Sequence, residues 1–213
     1  MIPRFELHGM VRSGPAYAIM LLLRLCGEKF DYVHVNLATG EQKTPEFLAK
    51  NRFGVVPALL DRNDNHVYVQ SASILEHIAD TLGKFTGKTK LEQVQICEWM
   101  FWSWDKLIPN IYRSRAMRLG FRVYGFDTAN MYFNEGNAGL KVLEDHLNGC
   151  KWIVGYAPTY VDVAIYGVLA YAEAGGFDMK LYLSLQKWMG AVEALPNFVA
   201  QGKHVPMESV KGI

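Results

Sequence analysis

The spacing of hydrophobic positions changes character near residue 83. Before it, short apolar runs alternate in type. Phe5 and Leu7 alternate with Glu6 and His8 up to Gly9, which predicts a strand. From Pro15 to Cys26, the residues Ala16, Ile19, Met20, Leu22, Leu23 and Cys26 fall on overlapping helical faces, so this helix is expected to be buried on most sides, with Gly27 ending it. Tyr32-Val33-His34-Val35 reads as a second strand, and Thr44-Pro45 opens a short helix over Glu46 to Lys50. This β-α-β-α order implies a parallel strand pair joined by a crossover helix. Pro57 interrupts the next strand-like run and therefore stands at its start or edge. The turn cluster Asp61 to Asn65 and the returning strand His66 to Val69 then form an antiparallel hairpin. Gln70-Ser71 lead into an amphipathic helix carrying Ile74, Leu75, Ile78, Ala79 and Leu82, which Gly83 ends.

Beyond Gly83 the strand signals cease. Lys84 to Lys90 is polar and basic and reads as a linker, so two domains are expected, 1–83 and 91–213. Leu91 to Tyr112 predicts a long helix rich in aromatics (Trp99, Phe101, Trp102, Trp104), kinked near its end by Pro109. Arg113, Arg115, Arg118 and Arg122 follow in a looser stretch that Asp127 closes as a cap. A helix through Leu140, Leu143 and Leu147 stops at Asn148-Gly149. Thr159 and Asp162 have capping-box spacing at the head of a helix through Ile165, Val168 and Leu169. The last helix holds Leu183, Trp188 and Val192 and stops before Pro196, leaving a tail from His204 with little pattern.

Composition narrows the class. At 213 residues the chain has ample material for a core, and half of it is hydrophobic. A formal charge of +1 gives no electrostatic case for nucleic acid or a membrane surface. The longest apolar run, Ala16 to Leu23, is too short to span a bilayer, and its flanks are not those of a signal peptide. Three widely spaced cysteines make neither a CxxC pair nor a disulfide framework. Cys26 and Cys97 lie within helical apolar patterns and are expected to be buried. A reducing, cytoplasmic setting follows, and no metal is expected.

The chemistry begins where the first strand ends. Between Gly9 and Pro15 lies a short loop with one hydroxyl, Ser13, just ahead of a helix N-terminus, a place that favours an anion such as a thiolate. Taken alone, Ser13 is an N-cap. Three further segments change that: Gly54-Val55-Val56-Pro57, Gln70-Ser71-Ala72-Ser73-Ile74, and the capping box Thr159 to Asp162. In this order and at these spacings the whole chain resembles the soluble glutathione transferases. The resemblance implies an α/β thioredoxin-like N-terminal domain followed by an all-α helical bundle.

By that resemblance the peptide before Pro57 is cis, and Val56, with Val55 and Pro57 beside it, meets the cysteinyl part of glutathione. Gln70 and Ser71 hold the γ-glutamyl end, Ser71 at a helix N-terminus suited to a carboxylate. Gly40-Glu41-Gln42-Lys43-Thr44-Pro45-Glu46-Phe47 looks like a phi-class segment, which assigns Lys43 and Gln42 to the glycine carboxylate, with Gln42 in place of the usual His. Leu7-His8-Gly9-Met10-Val11-Arg12-Ser13 fits the phi-class loop without a gap. Ser13 is thereby the residue whose hydroxyl bonds the glutathione sulfur and raises its thiolate fraction, the free thiol having a pKa of about 8.5. Tyr17 is the fallback donor, though its place within the helix suits the core.

The second-substrate pocket is expected between the domains, lined by Met10, Arg12, Trp104 and Tyr112. Asp105 is read either as surface charge or as a contact to a partner subunit's glutathione. The four arginines suit an anionic second substrate or a solvated face. The implied function is a homodimeric glutathione S-transferase acting on a small hydrophobic electrophile, or reducing with glutathione. The absence of a cysteine from the loop speaks against the thiol-exchange branch of the family. The alternative is a non-catalytic ligand-binding or interaction protein with the same fold.

Overall fold

The computed structural model describes residues 2–10, 12–201 and 206–213. Val11 of the first loop, and His204 at the start of the tail, lie outside the described residues. Two compact units are present: one runs to Lys84 and takes in Pro196–Ile213, and the other is Phe85–Leu195. The tail segment thus groups with the first unit.

The first unit is thioredoxin-like. Its strands are β1 (Phe5–Gly9), β2 (Phe30–His34), β3 (Ala58–Asp61) and β4 (His66–Val69), and its helices are α1 (Gly14–Leu25), α2 (Pro45–Lys50) and α3 (Ser71–Leu82). The sheet order is β2-β1-β3-β4. β1 and β2 are parallel, as the crossover helix requires, and the other two pairings are antiparallel. Alternation along β1 sends Phe5 and Leu7 into a core with α1 and α3, where Ile19, Leu22, Leu23, Ile74 and Ile78 are fully buried. On the other face the His8 ring meets the edge of Phe47 from α2 at 6.4 Å. Gly9 is required where β1 ends, since a Cβ there would lie 3.1 Å from the Ala16 Cβ and 3.2 Å from the Tyr32 ring.

The tail has a role its sequence did not disclose. Val210 pairs antiparallel with Tyr32 on the free side of β2. The pair exchange N–H···O bonds of 2.7 and 2.8 Å, and Phe30 and Ile213 exchange bonds of 3.1 and 2.9 Å. Asp31 fastens the same segment by accepting the Gly212 N–H at 2.9 Å. Further back, the buried Tyr17 hydroxyl donates to the Val199 carbonyl at 2.9 Å.

The second unit holds α4 (Lys90–Trp102), α5 (Ile108–Arg118), α6 (Phe126–Leu147), α7 (Tyr160–Leu169) and α8 (Leu183–Glu193). The single kinked helix expected over 91–112 is instead two helices joined by a π-helical turn, Ser103–Leu107. Pro109 has no N–H to donate back to the preceding turn, so the chain widens before it and restarts with Pro109 in the first turn of α5. The Asn110 side chain donates to the Lys106 carbonyl at 2.6 Å across this joint. Arg113, Arg115 and Arg118 are therefore helical, not in a looser stretch. Gly125 takes the N-cap position of α6, with Asp127 inside its first turn. Cys97, expected in the core, is exposed one position past buried Ile96; Cys26 is buried, and burial pushes its thiol up to about 11.

The Thr159–Asp162 capping box forms. The fully buried Asp162 carboxylate accepts from the Ile153 N–H (3.0 Å), the Thr159 N–H (2.8 Å), the Thr159 hydroxyl (3.1 Å) and the Trp188 indole (2.9 Å). It ties α7, α8 and the segment ahead of α7 together. Glu144 of α6 does the same for the head of α8, accepting the Ser184 and Leu185 N–H groups at 2.9 and 2.8 Å.

In the first unit the buried Asp61 carboxylate takes both ends of the Arg4 guanidinium at 2.8 and 2.6 Å and meets His77 Nε2 at 2.9 Å. Burial opposes its charge, but the bonds from Arg4, the Asn63 N–H and His77 bring its pKa down to about 2. A carboxyl lowered from an unfolded value of about 3.9 stabilises the fold above that pH and loses the contribution as pH falls towards its folded value. Urea unfolding of wild type and Asp61→Asn is therefore expected to show the largest stability gap near neutrality. The gap should shrink between about pH 4 and pH 2. An unchanged gap at pH 2.5 would rule out the ionised carboxylate as its source.

Candidate functional site

Register gathers the predicted residues of the first unit. Ala58 stands opposite His8 of β1 and opposite Val69 of β4, so the end of β1, the start of β3 and the end of β4 lie in one row. Adjacent strands are about 4.8 Å apart. The loop to Ser13, the Val56-Pro57 pair and Gln70-Ser71 all leave the sheet at that row. β2 ends there too, with Gly9 opposite His34, and leads on towards Gln42 and Lys43.

Ser13 is the N-cap of α1. Its Oγ accepts the Ala16 N–H at 3.2 Å and its carbonyl accepts the Tyr17 N–H at 2.9 Å. A serine hydroxyl keeps its own proton to donate while it accepts, so capping and donation to a sulfur are compatible. Ser13 is half-buried, whereas Tyr17 is buried with its hydroxyl on Val199. Near Ser13, the Arg12 N–H donates to Met10 Sδ at 3.0 Å.

The Val56-Pro57 peptide is cis. β3 begins its pairing at Ala58, which leaves the Val56 peptide groups beyond the last rung of the ladder. The segment before them is held by a residue that sequence reasoning passed over. Asn51 is fully buried; its Oδ1 accepts the Phe53 N–H at 3.0 Å and its amide donates to the Val55 carbonyl at 2.6 Å. The first of these is an Asx turn, and an Asn three residues ahead of a Gly was the available signal. Gly54 has φ +59°, and a Cβ on it would lie 2.8 Å from Lys43 Nζ. The Lys43 ammonium thus rests against the loop that carries Val56. Next to it, Gln42 Oε1 is buried without a hydrogen-bond partner among the described residues.

Gln70, not Ser71, occupies the N-cap position of α3, and Ser71 is its buried first residue. Gln70 has φ +68° and ψ 120°, outside the regions comfortable for a residue with a side chain. Strain of this kind persists where surrounding structure demands it, commonly at binding sites. It turns an exposed side chain at the head of a helix, where N–H donors attract carboxylates.

By their chemistry the ammonium of Lys43 suits a carboxylate, the orphaned Gln42 oxygen suits an N–H, and the Ser13 hydroxyl suits an anion. In the second unit, Trp104 sits in the π-helical turn with its indole N–H buried and without a hydrogen-bond partner among the described residues. Tyr112 is partly exposed on α5. Asp105 is exposed and pairs with Lys106 at 2.9 Å. Asp61, Asp64 and His77 also bring three potential metal-ligand atoms within 4.8 Å of one another. Asp61 is already bound by Arg4, and Asp64 accepts the Tyr68 hydroxyl at 2.7 Å.

The glutathione S-transferase N-terminal domain family matches residues 3–80, and the glutathione S-transferase C-terminal domain family matches residues 133–196. The solved structure of a possible glutathione S-transferase from Rhodopseudomonas palustris is 30% identical with a TM-score of 0.84, covering 95% of this chain and 91% of that one. The chain belongs to the glutathione S-transferase family. A glutathione S-transferase from Pseudomonas fluorescens superposes with a TM-score of 0.87 at 29% identity, over 93% of this chain and 98% of that one. A zeta-class glutathione S-transferase from Euphorbia esula is 41% identical over 78 residues, 37% of this chain and 34% of that protein. Ure2p in complex with glutathione shares the fold at 21% identity and a TM-score of 0.84, over 92% of each chain.

For a member of this family, the backbone of Gln70 gives a direct test. Gln70→Gly removes the unfavourable φ and is expected to raise stability by about 1 kcal/mol. It also removes the side chain turned out at the head of α3, so retention on immobilised glutathione should fall. Urea unfolding and retention read the two effects separately, and a loss of stability would show that Gln70 carries no strain.

Proposed function

We propose that this protein binds glutathione at the row of strand ends in its first unit and uses it as a thiolate against a small hydrophobic electrophile. The observation that carries the reading is the common exit point of the Ser13 loop, the cis Val56-Pro57 pair and Gln70-Ser71. Lys43 and Gln42 take the glycine end, and Val56, flanked by Val55 and Pro57, offers its peptide groups to the cysteinyl unit like a neighbouring strand. Gln70 and Ser71 take the γ-glutamyl end. The Ser13 hydroxyl donates to the sulfur, lowers its pKa and leaves more thiolate near neutrality. Met10, Arg12, Trp104 and Tyr112 serve the second substrate. The setting is cytoplasmic and the role detoxification.

Ser13 is also fully accounted for as the N-cap of α1. That favours one alternative, a glutathione-binding protein that does not turn over. The two readings part on turnover by the unmodified protein, and the role of Ser13 on one substitution. Saturating glutathione at one hundred times its dissociation constant is expected to add about 2.7 kcal/mol to stability. Ser13→Ala should keep most of that shift, because the other contacts hold the tripeptide. Turnover in a panel of electrophiles should fall by roughly one to two decades, the worth of a lost charge-assisted hydrogen bond. The thiolate absorbance of the bound complex should move to a higher pH midpoint. Tyr17→Phe should leave that midpoint in place. Absence of turnover by the unmodified protein would favour the binding protein, unchanged turnover in Ser13→Ala would remove the catalytic role of Ser13, and the absence of any thermal shift would remove both readings.

The functional form is a homodimer. Leu91, Val94 and Phe101 are exposed along α4, although Trp99 is engaged within its own unit, 4.3 Å from the His146 ring and 5.0 Å from that of Trp102. Light scattering at micromolar concentration is expected to give twice the mass of one chain. A single-chain mass would exclude the dimer.

A further inference from the structure

Between Asp105 and Asp127 the sequence has five cationic residues and no acidic one: Lys106, Arg113, Arg115, Arg118 and Arg122. Their surroundings differ. The Arg115 guanidinium lies over the Tyr171 ring at 4.3 Å. Arg118 fills the space beside Gly176 that a side chain there would need. Lys106 is paired with Asp105, and Arg122 is exposed. Arg113 is half-buried, and among the described residues no carboxylate lies within 4 Å of it.

Tyrosines stand in that place. The Arg113 guanidinium carbon lies 5.0 Å from the centre of the Tyr132 ring and 5.8 Å from that of Tyr112. Tyr124 packs edge-on against Tyr132 with centroids 5.2 Å apart. The cluster draws Tyr112 and Arg113 from α5, Tyr124 from the connection and Tyr132 from α6. Rings over the face of a guanidinium hold it by cation–π attraction and leave its N–H donors in the plane, where a carboxylate is accepted by two parallel bonds. The Tyr112 hydroxyl is itself hydrogen-bonded to the guanidinium, and a phenol hydroxyl that accepts keeps its own proton to donate.

We infer that Arg113, framed by Tyr112, Tyr124 and Tyr132, is a binding site for a planar aromatic carboxylate. The Arg113 guanidinium, with no carboxylate partner among the described residues, matches one negative charge, its planar fork matches a carboxylate, and the tyrosine faces match an aryl body. This deepens the assignment of Tyr112 to the second substrate and rests on that reading for the ligand's being a substrate, but binding itself needs no glutathione.

The test uses the full chain without glutathione. 2-Naphthoate and its neutral isostere 2-naphthamide are titrated by calorimetry at low salt. The unmodified protein is expected to bind naphthoate about 10- to 100-fold more tightly, as charge-assisted hydrogen bonds provide. Arg113→Gln should erase that preference, and Arg122→Gln, in the same basic stretch, should keep it. If Arg113→Gln does not fold, the double variant Tyr112→Phe, Tyr124→Phe keeps the rings and loses two hydroxyls; it should weaken naphthoate about 10-fold and naphthamide little. Equal binding of the two probes by the unmodified protein overturns the inference. So does a preference that survives Arg113→Gln, or a double variant that weakens both probes alike. Retention on immobilised glutathione, measured alongside, fails only if the glutathione reading fails, which keeps the two apart.

Discussion

The pairing of Ala58 with both His8 and Val69 is the constraint on which the candidate site depends. Three connections that are far apart in sequence leave the sheet at one row because these residues share a rung. A slip of one residue in β3 would turn its side chains to opposite faces, putting Leu60 where the fully buried Leu59 now packs. It would also displace Val56 from the loop that carries Ser13. The hydrophobic core therefore fixes the geometry of the proposed site: the burial of Phe5, Leu7, Ala58 and Leu59 sets the register, and the register sets the row of strand ends.

Much of this was legible because local rules and tertiary packing agree. Alternation in β1, Pro at the head of α2, Gly83 past the end of α3 and the Thr159–Asp162 box each have a short-range cause, and each took the expected form. What could not be read depends on groups distant in sequence or on competing local effects. A Pro at position 109 announces a break without saying whether the chain kinks or widens, and the π-helical turn was the outcome. Cys97 shares an apolar run with Ile96 and Met100, but α4 is apolar on more than one side, so periodicity did not tell its inner face from its outer. Asn51 looked like one polar residue among several. Its value comes from two backbone groups that only a folded loop brings within its reach.

The residues proposed for glutathione divide in the same way. Ser13, Val56-Pro57 and Ser71 sit at element boundaries that turn chemistry and helix punctuation locate. The orphaned oxygen of Gln42, the strain at Gln70 and the rest of Lys43 against Gly54 are tertiary facts. They add physical reasons for positions that resemblance alone had singled out.

The tail on β2 bears on how the molecule comes into being. During synthesis, residues up to Lys84 leave the ribosome with every internal strand of their sheet available, yet the outer side of β2 stays open until Val210 arrives. The entire helical unit is made in the interval. The first unit is thus the earliest to begin and the last to be sealed, and a nascent chain carries an unpaired sheet edge throughout that delay, open to chaperones or to a neighbouring chain.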